Sequence, residues 1–180
     1  MLIKKAFKGH VDLLGPATKV QEELMGIPSF DTPDYTELFS EEKEMIAKLK
    51  KAFLMVAGGA VQKYGPDLDG HQQLLMAAAD ILIEIYMAES TILRTEKLAK
   101  KEGESKVPEQ IAMAKLYLYK AVDIVTQKGK ESIISFAEGD EQRMMLMGLR
   151  RFTKYTNMPN IVGLRETITT KLVAENAYCF

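Results

Sequence analysis

The carboxylates Asp80 and Glu84 stand one helical turn apart inside the otherwise apolar run Leu74 to Ala88. Two acids on one helical face can hold a metal ion or share a proton, so they are the first place to look for chemistry. A di-metal helical bundle, however, needs Glu-x-x-His motifs on facing helices. This chain has only His10 and His71, and neither follows a Glu by three residues. The bland reading is therefore preferred: both acids sit at the rim of a bundle or pair with Lys and Arg of a neighbouring helix, because buried charge must be compensated. Nucleophilic chemistry has even less to stand on. Cys179 lies in the terminal tail, no Gly-x-Ser-x-Gly elbow occurs, and neither histidine has a local partner. His71 follows Gly70 at an expected helix start and reads as a solvated first-turn residue. Glycine-rich phosphate loops are absent too. No catalytic, cofactor-binding or metal-ligating residue is assigned.

Two basic groups remain, Lys97-Lys100-Lys101 and Arg150-Arg151-Lys154. Each could meet an acidic partner or a headgroup, but Glu96, Glu102 and Glu104 dilute the first, and a solvated face explains both. A formal charge of −1 leaves no electrostatic footprint for a nucleic acid. One cysteine cannot form an internal disulfide, which fits a reducing compartment and points to the cytoplasm. With 180 residues and 47% hydrophobic composition the chain can bury one real core. Its apolar runs are too short to span a bilayer, and the opening Met1-Leu2-Ile3-Lys4-Lys5 is the reverse of a signal peptide.

The elements that would position these residues are helices throughout. Met1 to Lys8 reads as a short helix ended by Gly9, and Pro16 suits the first turn of a second that runs to about Met25, with Val20 and Leu24 on one side. Residues 26–39 hold Pro28 and Pro33 and show no periodicity. They are the expected linker, ordered against a surface by Ile27, Phe30, Tyr35, Leu38 and Phe39. Ser40 is expected to cap a helix carrying Glu41 and Glu42 in its first turn and ending at Gly65-Pro66. Inside it, Gly58-Gly59 predicts a close helix crossing, since no strand precedes the pair as a nucleotide loop would require. The next helix is expected from His71 to Lys101, with one apolar side formed by Leu74, Leu75, Ala78, Ile81, Leu82, Ile85, Ile92 and Leu93. Pro108 begins another that ends near Gly139, Asp140 caps a fifth through Phe152, and Asn160 caps the last. Within the fifth, Met144-Met145-Leu146-Met147 is apolar all round its turn, more than one core face needs. With no strand alternation and short connections, the predicted fold is all-α: an up-and-down bundle of about four main helices with an N-terminal helical arm.

Two stretches carry a resemblance. Met1-Leu2-Ile3-Lys4-Lys5-Ala6-Phe7-Lys8-Gly9, followed by Leu13-Leu14 and Val20-Gln21-Glu22-Glu23-Leu24, resembles the segment just after the active-site region of bacterial acyl-CoA dehydrogenases. Ala79-Asp80-Ile81-Leu82-Ile83-Glu84-Ile85-Tyr86-Met87 is similar to the long helix in the extra C-terminal domain of the very-long-chain members, where an acidic residue likewise precedes an aliphatic-Tyr pair. Enzymes of that family remove hydrogens from the α and β carbons of an acyl-CoA, with FAD as hydride acceptor and a carboxylate as base. The family's flavin-contacting Glu-Gly-Thr loop would lie immediately before Met1, so no catalytic or flavin residue is carried onto this chain.

The resemblance implies a noncatalytic C-terminal domain of an FAD-dependent acyl-CoA dehydrogenase of fatty-acid β-oxidation, inactive as an isolated chain. Residues 1–25 would be a helical arm, the tail of an upstream catalytic domain; 26–39 the linker; and 40–180 the helical bundle. The implied partners are the dehydrogenase body of the same polypeptide and a second copy in a homodimer of the full enzyme. In the mammalian very-long-chain enzyme a segment before the long helix associates with membranes. Here that connection is the short, acidic Tyr64-Gly65-Pro66-Asp67-Leu68-Asp69-Gly70, and membrane association is not expected. The competing expectation is a free-standing helical module that binds a partner protein through Met144 to Met147.

Overall fold

The computed structural model describes residues 14–26 and 35–179. The readings that fall on Met1 to Leu13, His10 included, and on most of the linker lie outside the described residues. Six helices and no strands make up the described chain: α1 Leu14–Met25, α2 Ser40–Tyr64, α3 Gln72–Glu102, α4 Pro108–Phe136, α5 Gly139–Phe152 and α6 Ile161–Glu175. Short 3-10 turns, Gly65–Gly70 and Glu104–Lys106, join α2 to α3 and α3 to α4. Such tight links fold consecutive helices back on each other. The three long helices pack mutually, with α3 against α4 the most extensive pair; α5 closes over α2 and α4, α1 lies on α2, and α6 lies on α4.

The core follows from the apolar periodicity of the long helices. Leu49, Met55 and Val56 of α2, Ile81 and Ile92 of α3, and Leu118, Val125 and Ile133 of α4 are fully buried. Removing a Leu or Ile from such a place costs about 2–5 kcal/mol, so these residues dominate what holds the bundle together. Glycines set the closest approaches. A Cβ at Gly58 would stand 2.5 Å from the Ala17 Cβ of α1, and one at Gly59 would stand 2.8 Å from Met145 Cε of α5. The pair is thus a crossing point for helices on two sides of α2. Gly129 admits Leu149 in the same way, and Gly148 admits Leu24 and Met55.

Three boundary readings are corrected. Ser40 is the first helical residue and no acceptor for the helix amides: its Oγ donates to the Glu37 carbonyl at 2.8 Å, and the position before the helix is taken by buried Phe39 with φ +65°. A local turn competes for the serine hydroxyl here, as such side chains often do. Asp140 lies inside α5, which starts one residue earlier at Gly139 with φ +58°. α4 stops at Phe136, three residues short of Gly139, because Ala137 turns extended. The last cap is as expected: Asn160 Oδ1 accepts from the Gly163 amide at 3.1 Å.

Candidate functional site

Asp80 and Glu84 share a face of α3 but meet different residues of α4. The Tyr117 hydroxyl donates to Glu84 Oε2 at 2.9 Å; burial, then this bond, pushes the Tyr117 phenol above its ordinary pKa. Asp80 Oδ2 lies 3.8 Å from Lys128 Nζ, which also reaches Glu131 at 3.6 Å. The two acids act as separate struts between α3 and α4, on one side of the buried stripe that joins those helices. A cleft of about 290 Å³ opens beside Asp80, Lys128 and Ser132, but the Ser132 hydroxyl is already turned to the Lys128 carbonyl at 2.8 Å. Among the described residues no group of three or more His, Cys, Asp or Glu is placed to hold a metal ion.

The other candidates are scattered. His71 is exposed at the start of α3 and stacks on Tyr64, ring centroids 3.6 Å apart. Cys179 is half-buried near the end of the chain, in no disulfide. The first basic group is held by acids: Lys100 meets Glu96 at 2.8 Å and Lys101 meets Glu102 at 2.8 Å. Lys100, then Lys43 at 2.8 Å, hold the Glu96 carboxyl below its ordinary pKa. Arg150 and Arg151 close the last turn of α5. No helix among the described residues is long and apolar enough to cross a membrane.

The Met-rich turn of α5 divides. Met145 is buried in the core, whereas Met147 is 73% exposed. With Leu24, Gly26, Met144 and Gly148 it lines an apolar groove of about 540 Å³, edged by Arg143 and Arg151.

One apolar surface was not anticipated. Leu82 and Leu93, expected on the buried side of α3, are 41% and 50% exposed. They join Met76, Ile83, Tyr86 and Met87 on the opposite side of the helix, with Tyr86 67% exposed. Leu74, Ile81, Ile85, Ala88, Ile92, Thr95 and Ala99 are the residues of α3 buried in the bundle. The signal was present in the sequence: Ile81-Leu82-Ile83 and Ile92-Leu93 put more apolar residues on α3 than one stripe accommodates, and a helix apolar on two sides has two neighbours to satisfy. A run of exposed aliphatic and aromatic side chains of this length marks an interaction surface.

Comparison with known proteins gives this geometry a context. Residues 48–151 match the family described as "Acyl-CoA dehydrogenase, C-terminal domain". The chain is 36% identical over 173 residues to a Bacillus subtilis (strain 168) protein named "Probable acyl-CoA dehydrogenase", covering 96% of this chain and 29% of that one. A crystal structure of acyl-CoA dehydrogenase complexed with FAD from Bacillus anthracis superimposes with a TM-score of 0.87 at 35% identity, over 99% of this chain and 29% of that one. The chain therefore spans under a third of the length of the relatives it matches. The family match extends from the third turn of α2 to the last turn of α5, the helices that build the core, and the chain belongs to the acyl-CoA dehydrogenase C-terminal domain family.

Proposed function

We propose that this chain is the noncatalytic C-terminal domain of an FAD-dependent acyl-CoA dehydrogenase of the very-long-chain type, active in fatty-acid β-oxidation. Its work is to pack on the catalytic body of the same polypeptide and to support the homodimer of the full enzyme in the cytoplasm. FAD and the acyl-CoA are held by the body, and no residue of this domain touches the reacting atoms. The observation that supports this reading best is the close superposition of all the described helices on 29% of a flavin-bound dehydrogenase. The role is one of surface: the apolar groove at Met147 is what a domain offers when it packs on something larger.

The test has two arms. The gene upstream of residue 1 should encode an acyl-CoA dehydrogenase body in the same reading frame, and its absence there would overturn the assignment. The purified 180-residue chain should show no flavin absorbance and no acyl-CoA oxidation. Turnover by this chain alone would contradict the noncatalytic role. A free-standing adaptor that grips a partner through α5 is the second reading, favoured by the exposure of Met147. The same upstream sequence separates the two.

A further inference from the structure

The outer face of α3 is complementary to itself. Met87 stands at the middle of the helix, and Asp80 and Arg94 lie seven residues to either side of it. Seven residues are two turns, so all three share one edge of the apolar stripe. Both charged residues are exposed. Arg94 forms no ion pair among the described residues, and Asp80 has only the long contact of 3.8 Å to Lys128. When two copies of α3 lie antiparallel about a two-fold axis at Met87, each Asp80 falls beside the partner's Arg94, and the pairing occurs twice by symmetry. A parallel arrangement would instead set like charge against like. In the antiparallel register Tyr86 and Met87 meet their own counterparts at the axis, and Ile83 lies opposite the partner's Thr91. Glu89, which approaches its own counterpart on the other edge, is already neutralised by Lys50 at 2.7 Å.

We propose that a second copy of this chain covers the outer face of α3 in this antiparallel register. An acidic or a basic partner protein would be met by flanks of one sign, whereas this edge carries one charge of each sign, evenly placed about the helix centre. The stripe from Met76 to Leu93 is about 25 Å long at ~1.5 Å per residue. One helix against its copy buries less than the ~1,600 Å² of a standard interface. Weak self-association is expected, strengthened wherever the copies are also joined elsewhere. The inference stands independently of the placement in a longer enzyme.

The experiment is analytical ultracentrifugation of the full 180-residue chain from low micromolar to near-millimolar concentration. The wild type is expected to pass from monomer to dimer. Asp80→Arg and Arg94→Asp should each weaken dimerisation about tenfold, since each sets like charges together twice. The double variant D80R/R94D should return to the wild-type constant. Ile83→Asp should remain monomeric with an unchanged helical circular dichroism spectrum, because Ile83 contributes nothing to the core. A wild type that stays monomeric throughout, or a double variant no better than the single ones, would overturn the proposal. Either result leaves the upstream reading frame, and hence the family role, untouched.

Discussion

At Gly58 the absence of a side chain decides how closely α1 can lie on α2. Alanine is the better helix former by roughly 1 kcal/mol, so Gly58→Ala would stabilise an open helix. Here the added methyl meets Ala17 Cβ at 2.5 Å, and overpacking of that kind costs about 1–3 kcal/mol. A net loss of stability is expected in urea unfolding, whereas Gly70→Ala, with nothing within 4 Å, should change it by no more than about 0.5 kcal/mol. The glycine pair was legible as a crossing because it interrupts a good helix. The identity of the neighbours was not, since Ala17 and Met145 reach it from distant parts of the chain. Ser40 shows the converse: its type suits a cap, but the preceding Glu37 carbonyl takes its hydroxyl. Glu96 supplies the pH dependence. Its folded pKa is depressed by Lys100 and Lys43, so its contribution is present above the ordinary carboxylate pKa and is lost as pH falls through the lower folded value. Glu96→Gln should therefore lower the melting temperature near neutral pH, by the equivalent of about 1 kcal/mol or less, and make no difference in strong acid. Thermal scans of both proteins across pH would show the two curves converge.

Among the elements, α3 separates what periodicity can show from what only packing can. Neighbours Ile81 and Ile83 look alike in the sequence, yet Ile81 is fully buried and Ile83 faces outward. Ile81→Ala should cost about 2–5 kcal/mol, as large-to-small changes in a packed core do. Ile83→Ala should stay within about 0.5 kcal/mol. Equal losses at the two positions in denaturant titrations would mean that α3 has no free outer side. Among the described residues, helix number, order and several ends were readable because glycine, proline and Asn160 punctuate the chain. The second apolar side was missed because a single helical stripe was fitted to a helix that carries two. Of the Asp80–Glu84 pair, Asp80 meets a cation, Lys128, as expected, whereas Glu84 meets a tyrosine, Tyr117, where a cation was expected.

For the whole molecule, the bundle has a self-sufficient core and spare apolar surface outside it. That combination suits a domain that folds as a unit and then packs on a larger neighbour. Under the proposed function, the chemistry belongs to the dehydrogenase body and this domain acts through its surfaces. The most direct measurement uses the longer polypeptide, intact and lacking residues 40–180, each loaded with FAD. Acyl-CoA oxidation per bound flavin and the melting temperature of the body are then compared. The account predicts that the rate per flavin is largely retained by the shortened enzyme while its melting temperature drops by several degrees and its dimer weakens. A shortened enzyme that keeps its flavin and its melting temperature but loses the rate would contradict it, because the domain would then take part in the chemistry.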